Sequence, residues 1–270
     1  MFFGQDACVP AFGQREVKSV TRFDVGLFLA GKAKAGYCRA TIRSMKVALS
    51  LVLGWAVAGS WLDRNPCTGV QLPKAPTRVQ RTILTPEQIV ALASKLEEPY
   101  ATLVLFLAIT GLRVSEAVGF KAEDFEGNIL LLRHRFYQGN SGGDYGELKS
   151  KKSVRNLPLP GELADRVKAL APNGGFCFRS EADTPVNQKN ALRRYIQPAC
   201  AELRFRIGGW HDFRHTLTRR ALKKYPTKVV SGMLGHANAR TTLDTYGHVL
   251  QEDFAEPLAE MAAQLLPNVA

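Results

Sequence analysis

The sequence predicts a mainly α-helical chain with a small antiparallel β-sheet, an α+β fold in two domains. Three observations predict it. Apolar residues recur at helical spacing between Cys38 and Ala58, a Pro-rich basic stretch without periodicity follows at 72–81, and a short β-prone segment interrupts a second half that otherwise reads as helix. With 270 residues and 46% hydrophobic content, the chain can bury a sizeable core in one or two domains.

In chain order, Ile42, Met45, Leu49, Val52 and Ala56 step by three and four, which predicts an amphipathic helix with that face in the core. Arg39, Arg43 and Lys46 follow the same period on another face, where they are candidates to track a DNA backbone or simply a solvated charged face. The segment from Leu72 to Arg81 predicts an extended linker, so the expected domains are 1–77 and 78–270. Thr85, Pro86 and Gln88 have the order of a capping box with Pro at the first helical position. The apolar run Leu103 to Ile109 ends at Gly111, a good helix stop, and Ser115 to Val118 can restart a helix. Residues 128–137, the Gly/Asn/Ser-rich stretch 139–146 and VRNLPLP together suggest one small antiparallel sheet. After about Pro185 the pattern is helical, with no internal repeat.

Charge narrows the function classes. The formal net charge is +12, which favours a polyanionic partner through phosphate contacts and counterion release. The basicity is uneven, because residues 1–82 carry twelve Lys/Arg against four Asp/Glu. Five cysteines without CxxC or His-rich spacing suggest neither a disulfide framework nor a zinc site, and a reducing, cytoplasmic setting is expected. The longest apolar stretch, Ala101 to Ile109, is too short to span a bilayer, so no membrane partner is expected. No phosphate-cradling glycine loop or Ser-His-Asp arrangement is present, and no cofactor is expected.

Several residues could carry chemistry. Arg113 follows a hydrophobic helix, and Glu116 three residues on can hold its guanidinium in a fixed orientation for gripping an oxyanion; an isolated pair of this kind also reads as a helix-end salt bridge. His211 and Arg214 are spaced i, i+3 near a helix start, a place that favours phosphate and that could combine proton handling with charge stabilisation. In Leu234-Gly235-His236 a glycine ends a short helix and leaves His236 in the following turn. Lys149 lies in a basic loop at the turn of the small sheet, where a mobile amine could protonate a leaving alkoxide, and Lys151 and Lys152 compete for that role. Tyr246 follows ten residues after His236; it is a poor nucleophile unless donors stabilise its developing charge, and Tyr225 and Tyr137 remain rivals.

Taken together and in this order, TGLRVSE, LKSKKSVRNLPL, HDFRHT and LGHANARTTLDTY, with the trailing Gly-His, resemble the tyrosine site-specific recombinases, the phage and transposon integrases. The stretch TIRSMKVALSLVLGWAVAGSWLDRNPCTGVQLPK also looks like the end of that family's core-DNA-binding domain. The resemblance implies an integrase-like catalytic domain at 78–270 behind a partial core-binding domain at 1–77, because the match begins after the point where that domain's first helix would lie. It implies that Arg113 and Arg214 clamp a scissile phosphate while Lys149 protonates the leaving 5′ oxygen. His211 and His236 would assist, Tyr246 would attack to give a 3′-phosphotyrosyl intermediate, and Glu116 would support the arginine and histidine.

Arg39, Arg43, Lys46, Lys151, Lys152 and Arg155 are the expected DNA contacts, and Val154 stands where many relatives carry a basic residue. The resemblance further implies double-stranded DNA as partner, a homotetramer on DNA, room for an accessory DNA-bending or directionality factor, and a reaction without metal or ATP. The stripe Phe254, Leu258, Met261, Ala262 and Leu265 could pack on a neighbouring subunit or on the same chain. Two other functions stay open: a degenerate integrase that binds DNA without strand exchange, and relaxation of supercoils in the manner of a type IB topoisomerase.

Overall fold

The computed structural model describes residues 8–76, 82–138, 143–148 and 153–235. The chain divides into two compact units, Met1–Gln80 and Arg81–Ala270. In the described part of the first unit, a single helical turn α1 (Val9–Phe12) leads through a 3-10 turn to α2 (Arg22–Lys34) and α3 (Arg39–Ala58). A capping box starts α2: Thr21 Oγ1 accepts from the Asp24 amide at 3.2 Å, and Asp24 Oδ2 accepts from the Thr21 amide at 2.9 Å. Val25 and Leu29 of α2 pack with Ile42, Met45, Leu49 and Leu53 of α3, and Cys67 and Val70 close this core from the chain that follows.

One core position departs from the sequence reading. Val52 is more than half exposed and Leu53 is buried in its place. At 3.6 residues per turn both positions fit between Leu49 and Ala56 by one step of three and one of four, and the helix takes the four first, which buries Leu53. By length and composition α3 could cross a membrane. Its Ile42, Met45, Leu49, Leu53 and Ala56 face is instead buried in the core of this unit.

In the second unit, α4 (Pro86–Ser94) begins at the expected capping box, with Gln88 Oε1 accepting from the Thr85 amide at 2.9 Å. Next comes α5 (Tyr100–Thr110), whose Leu103, Val104, Phe106 and Leu107 are buried almost completely. Burial of each such side chain contributes roughly 1.5–3 kcal/mol relative to leaving it in water. The helix stops at Gly111, where φ is +64° and an added Cβ would lie 2.7 Å from Leu217 and 2.9 Å from Leu234. Only glycine suits this corner. The one-turn helix α6 (Val114–Ala117) restarts the chain in a new direction.

The β-prone segment forms parts of two sheets. Strands β1 (Phe125–Glu126), β2 (Ile129–Leu132) and β5 (Arg155–Pro158) make an antiparallel sheet ordered β1-β2-β5, with Leu130 opposite Leu157 and Leu132 opposite Arg155. Strands β3 (His134–Gln138) and β4 (Gly143–Glu147) pair separately. The break falls at Arg133, so the single sheet expected from sequence becomes two ladders. Then follow α7 (Gly161–Lys168), the continuous helical stretch α8 (Gln188–Ala191), a π turn and α9 (Gln197–Glu202), and finally α10 (His211–Lys224) and α11 (Thr227–Leu234). Phe106, Phe120 and Phe178, with ring centroids 5.3–5.7 Å apart, centre the core on which these elements rest.

Candidate active site

Three helix ends and one strand meet at one place in the second unit. The C-terminal ends of α5 and α11 and the corner before α6 surround Arg214 of α10, whose side chain is buried. Its Nη1 donates to the Gly111 carbonyl at 2.7 Å and its Nη2 to the Leu234 carbonyl at 2.8 Å. The last carbonyls of a helix lack partners within the helix and carry partial negative charge, so a guanidinium there satisfies both demands. Arg214 thereby ties the end of α5 to the end of α11.

Arg113 lies two residues beyond Gly111, at the N-cap of α6, and is partly exposed. Glu116, only 2% exposed, holds it twice: Oε1 accepts from Arg113 Nη1 at 2.8 Å and Oε2 from the Arg113 amide at 3.1 Å. The predicted Arg-x-x-Glu pair is therefore formed. The same carboxylate receives Nη2 of Arg155 at 3.4 Å. Arg155 enters from β5, donating from Nε to the Met233 carbonyl at 3.0 Å and from Nη1 to the Ser153 carbonyl at 2.9 Å. Burial and the nearby Arg113 charge press its pKa below the ordinary arginine value, while Glu116 draws it back up. Arg155 and Arg214 thus cover consecutive carbonyls in the last turn of α11. Two guanidiniums, those of Arg113 and Arg155, share the Glu116 carboxylate while Arg214 is held by carbonyls, and the excess positive charge sits beside buried walls where charge interactions are screened weakly.

His211 opens α10 and is exposed, one turn ahead of Arg214. The loop before it is fixed by Asp212 Oδ2, which accepts from the Gly208 amide at 2.6 Å, and by Trp210 Nε1, which donates to the Gln188 carbonyl at 2.8 Å. A helix start of this kind presents amide donors and partial positive charge to an anion. At the other end of the site, Gly235 terminates α11 with φ +66°, and a Cβ there would lie 2.5 Å from Arg155 Nη1. His236, Lys149, Lys151, Lys152 and Tyr246 lie outside the described residues, as does the stripe from Phe254 to Leu265.

Of the expected DNA contacts in the first unit, Arg39 and Arg43 are exposed on α3. Lys46 is half-buried and donates from Nζ to the Val70 carbonyl at 2.6 Å, an internal role that its helical spacing did not reveal. Arg155 likewise has internal partners through all three guanidinium nitrogens. Among the tyrosine rivals, Tyr137 sits on β3 and Tyr225 ends α10; both are more than half exposed, at 55% and 59%. Among the described residues, no group of three or more His, Cys, Asp or Glu could hold a metal ion.

The profile of the Phage integrase family matches residues 82–253. The chain is 30% identical over 267 residues to an integrase of Mycobacterium phage FRAT1, covering 94% of this chain and 79% of that protein. It is 25% identical over 269 residues to a tyrosine recombinase XerC-like protein of Caldanaerobacter subterraneus subsp. tengcongensis, covering 86% and 66% respectively. Among solved structures, the Tn1549 transposon integrase in complex with a circular intermediate DNA superposes with a TM-score of 0.79 at 19% identity, over 96% of this chain and 93% of that one. A lambda integrase tetramer bound to a Holliday junction superposes with a TM-score of 0.64 at 17% identity, over 91% and 71%. The chain spans about two thirds to four fifths of the length of these curated relatives.

Proposed function

Because the chain belongs to the phage integrase family, we propose that it is a site-specific DNA recombinase that breaks and rejoins double-stranded DNA through a 3′-phosphotyrosyl intermediate on Tyr246. The observation that carries this reading is the meeting of Arg113, Glu116 and Arg214 at the α5–α6 corner, with the start of α10 and its His211 alongside. A phosphodiester under attack gains charge on its non-bridging oxygens, and preorganised guanidiniums stabilise that charge more than they stabilise the ground state. Arg214 is held by two carbonyls and Arg113 by a buried carboxylate, so neither must reorganise when the phosphate arrives.

In this mechanism the Tyr246 oxygen attacks phosphorus and loses its proton, the phosphorus–O5′ bond breaks, and Lys149 gives a proton to the leaving 5′ oxygen. His211 and His236 donate hydrogen bonds to the phosphate and move protons. The phosphotyrosyl ester conserves the bond, so attack by a 5′-hydroxyl of the second strand restores a phosphodiester and releases the tyrosine without ATP or metal. Assembly as a homotetramer on two duplexes brings the second strand, with an accessory bending or directionality factor as a further partner. Arg39 and Arg43 supply phosphate contacts from the first unit.

The test uses a pool of nicked duplexes of randomised sequence, from which covalent protein–DNA adducts are recovered under denaturing conditions and the DNA sequenced. Wild type is expected to yield adducts enriched in one sequence, and Tyr246→Phe none. Adducts formed equally by Tyr246→Phe would remove the tyrosine from its role. Plasmid relaxation without any enriched sequence would point to a topoisomerase.

A further inference from the structure

We propose that Arg155 is a positioning residue of the phosphate site, not a DNA contact; the inference rests on the reading of the site given above. Its side chain is 10% exposed, and its planar fork reaches three different segments. Nη2 meets Glu116, which orients Arg113. Nε meets the Met233 carbonyl, the neighbour of the Leu234 carbonyl that Arg214 holds. Nη1 meets the Ser153 carbonyl two residues before its own strand, immediately after the lysine-bearing residues 149–152 in sequence. The guanidinium also rests against Gly235, where a Cβ would lie 2.5 Å from Nη1, so it packs against the residue that precedes His236.

One side chain therefore fixes the carboxylate behind Arg113 and the helix end shared with Arg214. It also anchors the two chain segments that lead to Lys149 and His236. Glu116 is bound on both oxygens, and Arg155 is its second cationic partner. Without Arg155 that carboxylate keeps its two bonds to Arg113 itself but loses the tie to β5 that braces the pair from another segment. The chemistry asks for a guanidinium, because an ammonium is a point charge whose compact group cannot match this set of divergent acceptors.

This distinction makes the proposal separable from a DNA contact. A phosphate contact works through charge, survives replacement by lysine, and on removal lowers affinity and the salt dependence of binding. A positioning guanidinium works through its fork. Its removal leaves affinity alone and slows the chemistry by roughly 10- to 100-fold, the range by which outer partners tune a site.

The experiment measures binding and single-turnover adduct formation on a nicked duplex of the sequence enriched by wild type, for wild type, Arg155→Lys, Arg155→Ala and Tyr246→Phe. The rate constant is read from the bound complex, so unfolded chain lowers the amplitude and not the rate. Arg155→Lys is expected to bind with the wild-type affinity and salt slope while its adduct forms on the order of 10- to 100-fold more slowly. Arg155→Ala should be as slow. A wild-type rate in Arg155→Lys overturns the proposal, as does a shallower salt slope with the rate unchanged in Arg155→Ala. Failure of wild type itself to form a Tyr246-dependent adduct overturns the functional reading and this inference with it, so the two failures are told apart by the wild-type lane.

Discussion

The two units use the same side chain in opposite ways. In the second, Arg214 and Arg155 are buried and direct donors to carbonyls at helix ends, and Arg155 also reaches the Glu116 carboxylate that holds Arg113. In the first, Arg39 and Arg43 stand exposed along α3. The difference teaches how a basic protein divides its labour. Fixed guanidiniums lose little freedom when a phosphate arrives and can serve chemistry, whereas exposed ones act through long-range charge that salt screens.

The largest effect that would sharpen this contrast comes from Arg214→Ala. It removes two charge-assisted hydrogen bonds and leaves the ends of α5 and α11 uncovered. Unfolding free energy should fall by about 3 kcal/mol, measured by urea denaturation, and adduct formation by on the order of 10³-fold. A variant that cleaves at the wild-type rate would break the comparison.

A middle-sized effect is expected from Arg39→Ala combined with Arg43→Ala. Here affinity should drop, and the slope of log K against log salt should become shallower by about 0.9 for each phosphate that the protein no longer neutralises. The cleavage rate of the bound complex should stay within about twofold of wild type, since phosphate contacts of this kind position the protein and do no chemistry. A slowed rate with unchanged salt dependence would show that the first unit takes part in catalysis.

The smallest effect concerns Asp24, which caps α2. Hydrogen bonds from Arg15 and Thr21 hold its pKa far below the ordinary aspartate value. A depressed carboxylate contributes stability that is present above the unfolded pKa, about 4, and is lost as pH falls from there through the lower folded value. Asp24→Asn should therefore raise hydrogen exchange in 22–34 slightly at pH 7, with the gap to wild type narrowing as the pH is lowered below about 4. Equal gaps at both ends of that range would assign the cap's value to shape and not to charge.

What was legible in the sequence is what local chemistry decides. The capping box at Thr85, the stops at Gly111 and Gly235 and the Arg113–Glu116 pair all depend on residues within one turn of each other. Less legible were features set by distant partners. Strand alternation cannot say that Arg155 turns inward, because its acceptor on α11 lies 78 residues away. Nor can helical spacing say that Lys46 meets the Val70 carbonyl. The exchange of Val52 for Leu53 reflects the order of a three-residue and a four-residue step between Leu49 and Ala56, which periodicity tolerates either way. Arg133, between β2 and β3, gives no sequence sign that the strands divide there into two sheets.

The central claim is that the arginine cluster serves a tyrosine nucleophile at 246. It is tested most directly by digesting the covalent adduct with protease and locating the nucleotide remnant by tandem mass spectrometry. The account predicts a phosphotyrosyl linkage on the peptide containing Tyr246. A remnant on Tyr225 or Tyr137 would contradict it.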